Sequence, residues 1–225
     1  MGKRRKLGAM LKALLEQYYT VTPVDIGEDS RLSKSGMTFT TESYDVEGAG
    51  HLCILNMNAM LGLMKMETVV LSSFEKDMPL FNLDWVGAFG NETQIAELYD
   101  VQLEPYPQEL LDEFTKIKEA DSDIADYPSS PAWYDGILYP CTYHKKGKKI
   151  TERLSAAASG YAETFCRQLA AAPACDAEAK KARVREFAET LFSNGGPAVD
   201  QVKKLFGDET ARRLIVTHMY GVGQK

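Results

Sequence analysis

METVVLSSFEKDMPLFNLDWVGAFGNETQIAELYDV, residues Met66 to Val101, is the stretch whose reading decides the fold. It reads as a strand, a Pro-containing turn, a strand, a Gly turn and a third strand. Apolar runs of strand length separated by short turn residues imply consecutive antiparallel pairing. Successive side chains of a strand point to opposite faces. Phe81, Leu83 and Trp85 therefore share one face, and Asn82, Asp84, Val86 and Ala88 the other. The first face reads as packed core. The second is small and mixed, which leaves room for a ligand over the sheet.

Asp84 stands in the middle of the apolar PLFNLDWV run. An ionised carboxylate is costly to bury without partners, so its presence there needs a reason. Glu67 falls with Val69 and Leu71 on its own strand. A symmetric hairpin centred on Glu75 and Lys76 sets Glu67 across from Asp84, with roughly 5 Å between Cβ atoms. Two like charges that close push one pKa up, and a carboxyl kept protonated near neutral pH is a proton donor. An aspartate in a strand also commonly faces solvent or accepts from a nearby amide. Local pattern leaves both roles open.

Outward from this segment, Leu7, Met10, Leu11, Leu14, Leu15 and Tyr18 form one face of an amphipathic helix over residues 7–19. Residues 20–50 hold a strand or hairpin around Met37 to Tyr44, and HLCILNMN (residues 51–58) is a further strand. Residues 65–71, 81–88 and 93–103 continue the series. Residues 107–119 have helical spacing, residues 120–150 are irregular, and the chain is helical from Thr151 on. Asn194-Gly195-Gly196-Pro197 is a helix stop followed by a helix start. These elements predict one α+β domain over residues 1–225, with a central antiparallel sheet, helices on both faces (an α/β/α sandwich) and a helical C-terminal third.

At 44% hydrophobic and 26% charged residues, the chain can form an ordinary globular core. Its net charge of -6 argues against general nucleic-acid affinity. No uncharged apolar run reaches the length of a membrane span. The basic start MGKRRK leads into an amphipathic repeat rather than an apolar signal core, so a cytoplasmic location is expected. Cys53, Cys141, Cys166 and Cys175 form no C-x-x-C pair, and His51, His144 and His218 are scattered. A zinc site or an iron–sulfur cluster is not expected. Neither a P-loop, nor G-x-G-x-x-G, nor G-x-S-x-G is present. Trp133, Tyr134, Tyr139 and Tyr143 can line a planar ligand or simply pack on the core. HKKGKK (His144 to Lys149) can dock an acidic partner or form a solvated turn, and KRRK (Lys3 to Lys6) reads as a solvated, frayed start.

MPLFNLDWV (Met78 to Val86) resembles the central strand of the ferredoxin-dependent bilin reductases, LP-[LIM]-[FL]-G-x-D-[LV]-V, flanked in that family by the same strands and turns. WYDGILYPCTYHKK (Trp133 to Lys146) is similar to the family's W-x-D-x-F-S-P stretch. Phe187 to Val222 resembles its ending, with Gly196-Pro197-Ala198, Phe206-Gly207 and a final helix in the family's order. Members reduce open-chain tetrapyrroles and hold no metal or flavin. Reduced ferredoxin supplies electrons one at a time, and carboxylates and water supply protons. The resemblance implies reduction of a linear tetrapyrrole with a ferredoxin or flavodoxin as external donor, Asp84 as main proton donor and Glu67 assisting. It also implies a pigment slot over the sheet, with Asn82, Val86, Trp133 and Tyr139 as candidate contacts. Ferredoxins are acidic, so Lys145 to Lys149 is the expected docking patch. Asn82 stands where the family has Gly, and Glu67 where it has His or Asn. Leu55 and Asn56 lie nearest to a glutamate that some members carry. These departures keep a second reading open, a tetrapyrrole-binding or carrier protein without turnover. A plastid-type transit segment is not expected, and the chain reads as bacterial.

Overall fold

The computed structural model describes residues 6–128 and 132–223, so Lys3, Arg4 and Arg5 lie outside the described residues. Strands β1 (Val21–Val24) and β2 (Arg31–Lys34) both pair along the outer edge of β3 (Met37–Val46). From there β3, β4 (Gly50–Ala59), β5 (Met64–Ser73), β6 (Leu80–Ala88) and β7 (Asn91–Tyr99) form a meander, each antiparallel to the next. Strand β8 (Tyr143–Gly147) closes the far edge on β7. The β6–β7 connection is the pair Phe89-Gly90, with φ of +50° and +78°. Two consecutive positive φ values give the mirror-image turn whose twist suits a hairpin, and glycine adopts that conformation without strain.

The pleat sorts side chains between two helical layers. Leu52, Ile54, Val69, Leu71, Phe81 and Leu83 pack in one core with α1 (Leu7–Leu15), α2 (Gln108–Glu119) and α3 (Thr151–Ala171). At its centre Phe81 stacks on Phe165, with centroids 4.4 Å apart and planes 8° from parallel. Phe39, Leu55, Met57 and Val70 pack in a second core with α4 (Ala177–Asn194), α5 (Pro197–Phe206) and α6 (Asp208–Arg212). A π-helical turn, Arg213–Met219, extends α6 over the sheet. Wide turns of this kind cluster at functional sites. The α+β sandwich predicted from the sequence is present, with its helical C-terminal third.

Lys180 of α4 is fully buried and ties this layer to the sheet. Its Nζ donates to the carbonyls of Met78 (2.7 Å) and Val101 (2.8 Å), with Asp77 at 3.4 Å. Burial pushes its pKa down to about 8, against the pull of Asp77. The Asp77 carboxylate in turn accepts from the backbone N–H groups of Leu103 and Glu104. These bonds hold the β5–β6 connection in an asymmetric shape. Glu67 is consequently opposite Trp85, and Thr68 is opposite Asp84. The symmetric hairpin predicted above is one residue out of register, and a one-residue slip moves a side chain to the other face.

Strand β8 lies inside HKKGKK, within a segment that reads as irregular. Lys145 is buried there, with Nζ on the Ile124 carbonyl and the Asp126 carboxylate. An inward lysine hides the strand's alternation. The short strands β1 and β2 were likewise not predicted as separate elements. The four cysteines are unpaired, three of them buried. No helix among the described residues is long and apolar enough to cross a membrane.

Candidate active site

Strand β6 aims Asn82 and Asp84 at the α4–α6 layer, because its alternate residues Phe81 and Leu83 fill the opposite core. On the same face stand Thr68 from β5, Glu97 and Tyr99 from β7, and His144 from β8. Their polar atoms form one network. Thr68 Oγ1 donates to Asp84 Oδ1. The Asn82 amide donates to Asp84 Oδ2 at 2.7 Å and to Glu97 Oε2 at 3.0 Å, so one NH₂ group links both carboxyls. Tyr99 OH donates to Glu97 Oε2 at 2.6 Å, and His144 Nε2 lies 2.8 Å from Glu97 Oε1.

The two carboxyls titrate in opposite directions. Asp84 is half-buried by surface exposure yet densely surrounded by protein. Burial raises its pKa to about 6, the Glu97 charge adds to the rise, and the Thr68 and Asn82 hydrogen bonds oppose it. Burial alone would raise Glu97 as well. Hydrogen bonds from His144 and Tyr99 outweigh it and hold Glu97 below its ordinary value. Repulsion therefore falls on Asp84, because His144 and Tyr99 stabilise the ionised Glu97. The site has one carboxyl that stays charged and a neighbour poised to carry a proton close to neutral pH.

An aromatic wall encloses the network. Tyr99 contacts Tyr134 (centroids 5.9 Å apart) and Phe187 (4.9 Å), and Phe187 also meets Trp133 (5.8 Å) and Tyr220 (5.5 Å). Tyr220 follows the π-helical turn, with its N–H on the Ile215 carbonyl. The charges of Asp84 and Glu97 add to burial in raising the Tyr220 pKa, which keeps its hydroxyl a donor.

The structure divides the residues predicted from the sequence. Asp84, Asn82 and Val86 share the face with the network, and Trp133 joins its wall. Glu67 does not. It lies on the α1–α3 face, where Oε1 accepts from the Gly8 N–H at 3.0 Å in the first turn of α1. Tyr139 also falls away: it packs with the α1–α3 core, 6.1 Å from Tyr106, and its hydroxyl accepts from Gln102. Tyr143 is buried in that same core. Lys145 is buried, which removes it from a docking patch, whereas Lys146, Lys148 and Lys149 are exposed.

Glu97, His144 and Thr68 were missed. Glu97 carried the same signal as Asp84, a carboxylate inside the apolar run QIAELY, on the face shared with Tyr99. His144 carried none, since β8 itself was unread. Among the described residues, no three His, Cys, Asp or Glu side chains form a group that could hold a metal ion.

No family model matches the sequence, and no curated protein matches it. The backbone does match solved structures. The crystal structure of phytochromobilin synthase from tomato in complex with biliverdin superposes with a TM-score of 0.78. The match covers 96% of this chain and 85% of that one, at 14% identity. The chain has the fold of a bilin reductase, which is the fold that the sequence resemblance implied.

Proposed function

We propose that this protein reduces a linear tetrapyrrole bound over the Asp84 face, with single electrons from a ferredoxin or flavodoxin and no bound cofactor of its own. The observation that carries this reading is the Asp84–Asn82–Glu97–His144 network under an aromatic wall, in a fold shared with a biliverdin-binding protein. Aromatic side chains suit the flat rings of such a pigment. Reduction of one double bond takes two electrons and two protons. With its pKa raised to about 6, Asp84 carries a proton in part of the molecules near neutral pH. An electron arriving on the pigment makes it more basic, and a protonated Asp84 beside it donates. Asp84 then recovers a proton through the network, whose outer member His144 is partly exposed. Glu97 takes the assisting place first considered for Glu67. It holds His144 in place and raises the proton affinity of Asp84. An acidic electron donor finds Lys146, Lys148 and Lys149 exposed for docking.

A second reading is a tetrapyrrole-binding protein without turnover. Leu55 favours it: this apolar residue stands in the row of Thr68 and Asp84, near where some bilin reductases carry a glutamate. Absorbance titration with biliverdin and bilirubin, followed by reduced ferredoxin under anaerobic conditions, separates the two. Reduction predicts a bound-pigment spectrum that shifts when ferredoxin is added. Binding with no shift for either pigment supports the carrier, and absence of binding overturns both.

A further inference from the structure

The last row across one end of the sheet runs Lys34, Met37, Ala59, Met64, Ala88 and Asn91. The β2–β3, β4–β5 and β6–β7 turns therefore stand side by side beyond it. The Phe89 N–H donates to the Leu63 carbonyl at 3.4 Å, which joins the second turn to the third. Strand β8 ends at Gly147, opposite Glu92, so Lys148 and Lys149 arrive at the same end.

Three features set this end apart. The first is exposed apolar surface. Of the eight large apolar side chains exposed among the described residues, four are here: Met60, Leu61, Leu63 and Phe89. The first three are neighbours on one turn, Phe89 is on the next, and Leu61 is fully exposed. Contiguous apolar surface of this kind marks an interaction site. The second is the backbone. Ser35, Met60, Leu61, Phe89 and Lys149 are the five non-glycine residues with positive φ among the described residues, and all five lie at this end. Left-handed backbone is unfavourable for a bulky side chain, and Gly or Asn adopts it more readily. Folding gains nothing from leucine and phenylalanine held there in water, so their role lies outside the fold. The third is charge. Residues 34–37, 59–65, 88–92 and 147–150 hold four lysines, Lys34, Lys65, Lys148 and Lys149, all exposed. Their one acid is Glu92, whose carboxylate accepts from Trp85 and Thr151. The end is thus positive on a chain of net charge -6.

We propose that this end of the sheet docks on a lipid bilayer surface rich in anionic headgroups. Met60, Leu61, Leu63 and Phe89 enter the boundary between headgroups and acyl chains, and the four lysines meet the headgroups. Shape and composition favour a bilayer over a protein partner. The apolar side chains project from turn tips rather than lining a cleft, and two tips are small beside the roughly 800 Å² that each partner buries in a standard protein interface. Every cation in the rim is lysine, which protein interfaces disfavour, whereas a lysine stem lies along apolar surface and keeps its ammonium among polar groups. This surface stands independently of the tetrapyrrole reading. It shares Lys148 and Lys149 with the electron-donor patch, and lipid binding is measured with neither pigment nor donor present, so the two readings fail separately.

Full-length protein is sedimented with vesicles of phosphatidylcholine alone and of equal parts phosphatidylcholine and phosphatidylglycerol. Saturable binding to the mixed vesicles is expected, with much weaker binding to phosphatidylcholine and a fall as salt is raised. Asparagine tolerates left-handed backbone, so Leu61→Asn and Phe89→Asn keep the turns while removing the apolar tips. Each is expected to weaken binding by about tenfold. Lys34→Gln and Lys65→Gln are each expected to weaken it by about fivefold. Absence of binding to the mixed vesicles overturns the proposal, as does equal binding to both kinds or affinity unchanged in the two asparagine variants. Self-association in the absence of lipid, abolished by both asparagine variants in sedimentation velocity, assigns the surface to a second copy of the chain and overturns it too.

Discussion

Glu67 and Asp84 sit on neighbouring strands, one residue out of step, and face opposite sides of the same sheet. On the α1–α3 side, Glu67 accepts the Gly8 N–H, one of the unsatisfied donors of a helix start. On the α4–α6 side, Asp84 accepts from Thr68 and Asn82 but must share its amide donor with a second carboxylate. The two carboxylates therefore stand in different settings. One side supplies a structural partner for its acid, whereas the other sets its acid against a charge that His144 and Tyr99 keep in place. The two faces should accordingly respond differently to the same kind of change.

The largest contrast in stability is between two phenylalanines. Phe165 is fully buried against Phe81, and Phe165→Ala is expected to cost about 3–5 kcal/mol in denaturant unfolding. Phe187, in the aromatic wall, is 5% exposed, and Phe187→Ala is expected to cost less than Phe165→Ala while weakening pigment binding. Equal losses of stability with unchanged pigment affinity would mean that the wall is only core.

Next comes a gain. The folded pKa of Asp84, about 6, lies above its ordinary 3.8, so the folded state binds the extra proton between those values. Native stability therefore falls as pH rises from about 4 through 6. Asp84→Asn removes that penalty and is expected to stabilise the protein by on the order of 1–3 kcal/mol above pH 7, with the advantage vanishing near pH 4. Thermal melts of both proteins across this range check it. A Tm difference independent of pH would remove the electrostatic account of Asp84.

Smaller effects follow. Glu67→Ala is expected to cost about 1–2 kcal/mol through the lost acceptor at α1, with pigment turnover unchanged. A loss of turnover with little loss of stability would restore Glu67 to the chemistry. Glu97→Gln removes the charge that acts on Asp84 after burial, so the Asp84 carboxyl signal in ¹³C NMR should titrate at lower pH than in the parent. An unmoved midpoint would show that burial alone sets it.

The meander and the sandwich were legible because apolar alternation marks strands β4 to β7 and helical stripes mark the last third. Asp84 was legible for the complementary reason, as a charge where the pattern called for none. What could not be read was register. Glu67 looked like its partner because a symmetric hairpin places it there. Lys180 and Asp77, a hundred residues apart in sequence, hold the connection in a different shape. His144 was hidden for a related reason, since β8 buries Lys145 on a carbonyl and a carboxylate and so lacks an apolar pattern. In both cases long-range bonds to polar groups decided what local sequence left open.

The most direct test loads wild type, Asp84→Asn and Glu67→Gln with the pigment they bind and adds reduced ferredoxin anaerobically, following absorbance through a single turnover. Wild type and Glu67→Gln are expected to shift at similar rates. Asp84→Asn is expected to retain the pigment but react about 10²–10⁴-fold more slowly. Full-rate reduction by Asp84→Asn, or loss of the reaction in Glu67→Gln alone, would contradict the assignment of the Asp84 face as the site of chemistry.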